Sequence, residues 1–415
     1  MANKTASMSL ADRAMGLLGG WTLRHMDVLF RIARNLFPIL LVKYKGKAFA
    51  LVTRFDDVQE VFQRPNVFDV IYAPKIKVLM DGDNIFLGMK DEDQATRDKS
   101  TMRLTAPRGE ALTRVKPRVE QLSEEVMAGT KGCVDIAMEL TQTVTTRFFG
   151  EYFGTVASDV MKFSDQARLL FKFMFVDMND NPSLRAEVVP AAAEMRSFVE
   201  GKIAERKSQR GRHDDMLERC LKLQDDGFPG MTDRDIRNNL IGMIVGGLPQ
   251  PPMVIPQLFD VLLDRPLDLA AASAAARAND DALISKYVFE ASRFYPLTPG
   301  LFRHCTEDYK LAAGTWRTKV IPTGALVMVS TRSAMFDGRR VERATQFRID
   351  RPDYNYMHFG YGMHECFGVY MNRAMMPAIC KSLLKRRNLR RAPGADGKLQ
   401  MDGSFAKSLL VQFDV

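Results

Sequence analysis

Between residues 107 and 212 the apolar positions recur at intervals of three and four, the period of helices that bury one face. Pro117, Pro182 and Pro190 read as breaks in that stretch, because proline lacks the N–H that an interior helical turn needs. Thr232, with Asp235 three residues on, resembles a capping box and opens an apolar helix over 236–248. A further helix is predicted over 282–294, ended by Tyr295-Pro296, since the residue before a proline is pushed out of helical dihedrals. The alanine-rich run 270–276 also suits a helix. Residues 40–44 and 48–52 flank Lys45-Gly46-Lys47, a hairpin signal. Asp56 or Asp57 is expected to cap a short helix with Val58, Val61 and Phe62 on one face. Runs at 309–311, 320–321, 325–329 and 408–413 read as short strands. No strand–helix–strand alternation is present, so the fold class is mainly α (α+β), with a small sheet fraction near both ends.

The chain has 415 residues, 46% apolar and 26% charged, and its 59 basic and 50 acidic residues leave a net charge of +9. That length supports one large domain or two to three smaller ones. Cys133, Cys220, Cys305, Cys366 and Cys380 are too few and too scattered for a disulfide framework, so a reducing compartment is expected. The apolar run 37–42 is far shorter than the roughly 20 residues of a spanning helix, and residues 1–9 lack a signal layout. The expectation is a cytoplasmic protein without a transmembrane anchor. Residues 16–41 carry Met, Leu, Phe and Trp21 among Arg24, Arg31 and Arg34. They read as an amphipathic helix on the protein's own body, with a membrane surface as the second reading. The positive charge is interspersed with acid and lacks aromatic–basic interleaving, which argues against nucleic acid as a partner.

The most specific stretch is Phe359-Gly360-Tyr361-Gly362-Met363-His364-Glu365-Cys366-Phe367-Gly368, with a helix predicted from Val369. Glycines permit positive φ and close approach of backbone to a flat ligand. A cysteine just before a helix N-terminus feels the positive dipole end and free amides, both of which favour thiolate. Such a thiolate suits an iron ligand or a nucleophile; the plainer alternative is a buried cysteine in a turn. His358 and His364 lack zinc-ligand spacing, and no Cys-x-x-Cys is present.

The same ten residues resemble the haem-binding signature of the cytochrome P-450 superfamily. Glu290-Ala291-Ser292-Arg293 resembles the family's Glu-x-x-Arg, and Arg303-His304-Cys305-Thr306-Glu307-Asp308 resembles the segment after it. The resemblance spans nearly the whole chain and points to the bacterial type without a membrane anchor. It implies a single cytochrome P-450 domain over 1–415, with a β-rich lobe at roughly 38–70, 301–330 and 395–415 and a helical haem-binding body.

The resemblance implies haem b, with Cys366 as thiolate ligand to the iron, Phe359 beside the sulfur, and Gly360, Gly362 and Gly368 letting the chain pass close to the macrocycle. His364 and Arg303 match positions that hold haem propionates. The third cation belongs to a helix near 95–103, where the family's His-x-x-x-Arg places Ala95 and Lys99, with Arg97 and Arg103 in reserve. Glu290 and Arg293 would pair in a buried lock; the arginine that normally closes it falls on Gln346, leaving Arg343 or Arg348 as substitutes.

The distal helix departs from the pattern. The family's acid and alcohol align with Pro249 and Gln250, after Gly246, Gly247 and Leu248 and before Pro251-Pro252. Gly246 and Gly247 keep the close approach; Pro249 and Gln250 offer no ordinary acid. Three prolines in four residues should break the helix and expose carbonyls to an ordered water, with Asn238 or Asn239 as other polar replacements. The implied function is a monooxygenase using dioxygen and electrons from ferredoxin and ferredoxin reductase. The alternatives are a peroxygenase or fatty-acid hydroperoxide-rearranging enzyme, which also lacks the acid–alcohol pair, and a haem sensor without turnover. Gln250 and Gly247 are the candidate catalytic positions. The aligned substrate loops, 70–85, 170–175 and 296–302, are rich in Phe, Leu, Met, Tyr and Ile, so an apolar or lipid-like substrate is expected, with Lys75 and Lys77 able to meet a carboxylate. Arg373, Lys381, Lys385, Arg386 and Arg387 could form the basic face for an acidic ferredoxin. A monomer is expected.

Overall fold

A computed structural model of the chain describes residues 28–44, 46–89, 92–178 and 180–414. Trp21, Arg24 and Lys45, named above, lie outside the described residues, as do 1–9. The chain packs as two compact units, one of residues 1–68 and 299–344, the other of 69–298 and 345–415.

The first unit is built on strands β1 (Ile39–Tyr44), β2 (Lys47–Val52), β3 (Leu301–Cys305), β4 (Tyr309–Leu311), β5 (Lys319–Ile321) and β6 (Leu326–Val329). The predicted hairpin forms: β1 and β2 pair antiparallel, Leu41 opposite Ala50, with Gly46 at φ +75° in the turn, where a side chain would be strained. β2 runs parallel to β6, β6 antiparallel to β3, and β4 and β5 form their own hairpin. Helix Phe55–Phe62 buries Val58, Val61 and Phe62 as its spacing predicts. Its cap differs from expectation. Arg54 holds the N-cap position without a side-chain cap, because Asp56 and Asp57 lie inside the first turn and are taken by Arg340 and Arg317.

The second unit is mainly helical. Thr232 and Asp235 make the full capping box, and the helix runs Asp233–Gly247. Helices Gln250–Leu263, Asp281–Phe294 and Val369–Leu384 pack with it and with Lys116–Ala128 around a core that includes Leu122, Phe148, Ile244, Phe259 and Ile379. Pro117 and Pro182 open helices, as breaks should. Pro190 does not break one: helix Pro182–Ser208 runs through it, because Pro190 and Ala186, whose carbonyl loses its partner, both face solvent. Leu410–Asp414 pairs with Cys133–Asp135 and Arg387–Arg391, so the C-terminal strands belong with the helical unit and not with the sheet-rich one. Among the described residues no helix is long and apolar enough to cross a membrane.

Candidate functional site

The cysteine loop lies between the short turn Gly362–His364 and helix Val369–Leu384. Gly360 and Gly362 have φ +77° and +73°, conformations that favour glycine. Gly368 has ordinary φ, and a Cβ there would crowd the Asn372 amide, standing 3.1 Å from its Nδ2, and lie 3.8 Å from Cys366 Sγ. The Cys366 N–H donates to Phe359 O at 2.9 Å, and the Gly368 N–H donates to the sulfur. Phe359 is thus tied to Cys366 through backbone, while its ring meets that of Phe289 edge-on at 6.1 Å.

Helix Glu92–Leu104 brings two cations to this loop, one turn apart. Lys99 Nζ donates to Met363 O at 2.7 Å and Glu365 O at 3.0 Å; Arg103 Nη2 donates to Phe367 O at 2.7 Å, its guanidinium 3.9 Å above the Phe367 ring. Alternate carbonyls of the loop are therefore held from one helix face. Burial pushes the Cys366 thiol pKa up, while the Gly368 N–H, Lys99 and Arg103 pull it down. Lys99 has used two of its three donors, so one can still turn to a propionate. Ala95, the aligned histidine position, is buried.

The Glu-x-x-Arg pair is fully buried. Arg293 Nη2 and Nε reach Glu290 at 2.6 and 3.0 Å. Arg351 closes the lock, its Nε 3.2 Å from Glu290 Oε1. Neither expected substitute does so. The Arg348 side chain pairs with Asp350 and only its backbone N–H reaches Glu290, while Arg343 lies beside Glu342 in the other unit. Gln346 contributes its backbone carbonyl, which accepts from both Arg293 and Arg351. The Tyr356 hydroxyl also donates to Glu290, and the His358 ring bonds Phe289 O at 2.9 Å.

His358 gives a pH prediction. Burial holds its pKa down at about 4, against 6.5 for an ordinary histidine. Below pH 6.5 the unfolded chain takes up a proton that the folded one refuses until about pH 4. Stability therefore falls as pH drops through that window, by roughly 3 kcal/mol in all. Urea unfolding between pH 7.5 and 4.5 should show it, and His358→Gln should flatten the slope by one proton.

The distal helix is interrupted, as the prolines predict, between Gly247 and Gln250. Leu248 and Pro249 nonetheless keep helical dihedrals. What is lost is hydrogen bonding: Pro249, Pro251 and Pro252 have no N–H for the carbonyls of Val245, Gly247 and Leu248. Met243, Gly246, Gly247, Gln250 and Val254 are partly accessible, Pro252 is so on the opposite side, and Ile244, Val245, Leu248, Pro249 and Pro251 are buried. Spacings of three, four, seven and eleven place the first five on one helix face. A Cβ on Gly246 would meet nothing within 4 Å, whereas one on Gly247 would lie 3.4 Å from the Phe149 ring. Gly246 is thus the glycine that borders open space, a distinction the sequence motif cannot make. Asn238 is not its polar companion, since its amide donates to Asp83 and accepts from Arg237.

Other candidates separate on inspection. Phe173 is wholly buried core. Lys75 is not free for a substrate carboxylate: it bonds Phe173 O and pairs with Asp177. Lys381 is buried between Glu120 and Asp281, and Arg386 and Arg373 pair with Glu124 and Asp353. His364 closes the turn Gly362–His364. Arg303 stands in the sheet-rich unit, buried, donating to Phe302 O and stacked 5.1 Å from the Phe62 ring.

These residues fit a haem. A lone thiol accepts a backbone N–H and is flanked by two cations, and Gly246 leaves a gap. Among the described residues no three His, Cys, Asp or Glu side chains gather to hold a metal.

Comparison with known proteins agrees. The family described as cytochrome P-450 matches residues 282–412. Cytochrome P-450 107B1 of Saccharopolyspora erythraea is 29% identical over 300 residues, 70% of this chain and 67% of that one. Mycinamicin IV hydroxylase/epoxidase of Micromonospora griseorubida is 24% identical, covering 82% of each. The crystal structure of P-450BioI with an acyl carrier protein ligated to hexadec-9Z-enoic acid superposes with a TM-score of 0.80 at 17% identity, covering 95% of this chain and 99% of that one. A buried Glu–Arg–Arg lock, a glycine-framed cysteine and these relatives converge: the chain has the cytochrome P-450 fold, and its residues 282–412 match that family.

Proposed function

We propose that the chain is a haem-thiolate monooxygenase that inserts one oxygen atom from dioxygen into an apolar small molecule, with electrons from ferredoxin and its reductase. The observation that carries this reading is the Cys366 sulfur, held by a backbone N–H in a loop that Lys99 and Arg103 fix through its carbonyls. Relatives named as a hydroxylase/epoxidase and an N-oxygenase support it. Haem b, when bound, supplies the redox chemistry that splits an O–O bond, which a thiolate ligand favours.

The chain's own residues do the rest. Cys366 would ligate the iron of a bound haem, and the Gly368 N–H would tune how much charge the sulfur donates. Within the helical unit, His364 and the remaining Lys99 donor would hold propionates. Gln250 orients a water beside the Val245 and Gly247 carbonyls, whose helical donors the prolines remove, and protons reach the substrate site through that water, since a neutral amide releases none. Lys385 and Arg387, after the cysteine helix, meet the acidic ferredoxin. The enzyme works as a monomer in the cytoplasm.

A second reading, a peroxygenase or hydroperoxide-rearranging enzyme, is favoured by one observation: Pro249 and Gln250 stand where an acid and an alcohol would serve dioxygen. Turnover with an electron donor and dioxygen, set against turnover with peroxide or a lipid hydroperoxide, separates the two. Product only with the latter overturns the first reading, and product with neither leaves a ligand sensor. Gln250→Thr alone should leave most electrons unproductive, because Pro249 still offers no acid. Full coupling of NAD(P)H use to product in that variant contradicts the water route.

A further inference from the structure

The first described helical turns, residues 28–36, bury one side and leave an apolar side open. At 100° per residue, Phe30 and Arg34 lie on one face and are both buried, the Arg34 guanidinium donating to Ser333 O and Oγ at 2.9 and 3.0 Å. Val28, Leu29, Ile32 and Leu36 fall within a separate arc about 100° wide and are 41–62% exposed. The chain continues directly into Phe37, 58% exposed, and then into β1, whose Leu40 and Val42 also point outward. Among the described residues β1 is the edge strand of its sheet, paired with β2 alone. Seven large apolar side chains in fifteen residues is far more than the scattered exposure usual for a folded surface.

Charge identifies what this face meets. The stretch 28–54 holds six Lys or Arg and no Asp or Glu, and Arg34 and Arg54 among them are buried. Arg31, Lys43 and Lys47 are exposed on the same helix and hairpin. A second copy of the chain would bring like charge against like in a symmetric contact, which is unfavourable. A surface that offers hydrocarbon beneath and negative charge above satisfies both halves of the pattern.

We propose that the helix 28–36 and strand Ile39–Tyr44 form a face that seats the protein peripherally on anionic lipid. The apolar arc enters the headgroup–acyl boundary and the lysines and arginines around it contact lipid phosphates. This rests on exposure and charge in the sheet-rich unit and is independent of the oxidant the enzyme uses.

Co-sedimentation of the full-length haem-loaded protein with vesicles of phosphatidylcholine alone, or with phosphatidylglycerol added, tests it. Binding should require the anionic lipid and weaken about tenfold in high salt. The double variant Leu36→Glu/Phe37→Glu should lose binding by about tenfold or more, and Lys43→Glu/Lys47→Glu should lose most of it. Both variants should keep the wild-type reduced carbon monoxide spectrum, showing that the fold persists. Equal binding to neutral vesicles, undiminished binding by the Leu36/Phe37 variant, or no binding at low salt overturns the proposal. So does a dimer in sedimentation velocity that Leu36→Glu/Phe37→Glu dissolves without any vesicle binding by the wild type.

Discussion

Cys366→Ser is expected to fold and take up haem, yet its reduced carbon monoxide complex should lack the thiolate signature and its oxygenation should be lost. Three features make this the largest single functional effect. The loop does not depend on the sulfur for its shape. Its anchors are the Cys366 N–H on Phe359 O, Lys99 on the Met363 and Glu365 carbonyls, and Arg103 on the Phe367 carbonyl, all backbone groups that serine retains. Burial raises the thiol pKa, and the groups that favour its charged form against that are the Gly368 N–H, Lys99 and Arg103. A serine hydroxyl, with a pKa far above that of a thiol, stays neutral and gives the metal neither the charge nor the polarisable donor that aids O–O cleavage. The reduced carbon monoxide difference spectrum, read beside haem content, is the measurement. An ordinary thiolate spectrum from the serine variant would refute the assignment of Cys366. Loss of haem altogether would instead show that the sulfur, and not the backbone clamp, holds the loop in place.

The parts of the site that could be read from sequence are those compressed into a short window. The glycines, Cys366 and the following helix sit within a few turns of chain, and Glu290 and Arg293 share a helix face by spacing alone. Residues whose role depends on an irregular path were not legible. Arg351 closes the lock because the segment from Gln346 to Tyr356 folds back on helix Asp281–Phe294 without periodicity, so nothing in the spacing distinguishes Arg351 from Arg343 or Arg348. The only local hint is Asp350, which occupies Arg348 and leaves Arg351 to turn inward. Lys381 looks like a surface cation in a basic run, yet Glu120 and Asp281 come from distant elements to bury it. Asp56 and Asp57 failed as caps for the same reason, since Arg340 and Arg317 reach them from far along the chain. Gly246 and Gly247 are equivalent in sequence, and only the position of Phe149 separates the one facing space from the one facing a ring.

Glu290→Gln is expected to destabilise the chain by about 3–5 kcal/mol, the largest loss of stability from any conservative exchange in this unit. Glu290 accepts from Arg293, Arg351, Tyr356 and the backbone N–H of Arg348, and it is wholly buried with Arg293. Its neutral amide would leave two buried guanidinium groups with one carboxylate removed, and its NH₂ would face donors where an acceptor stood. Arg351→Met should cost less, because it removes one charge and leaves Glu290 still paired with Arg293. Arg348→Ala should change stability by under about 1 kcal/mol, since its ion pair with Asp350 is solvated and its backbone N–H remains. That ordering separates the buried lock from mere charge count, because each variant removes one charged side chain. Urea unfolding of the three haem-loaded variants, at a pH above the His358 window, gives the comparison. If Glu290→Gln does not accumulate as folded protein, the ranking of Arg351→Met over Arg348→Ala still decides it. Equal losses from those two would mean that Arg351 does not close the lock, and that the segment before the cysteine is held by the His358 and Tyr356 contacts instead.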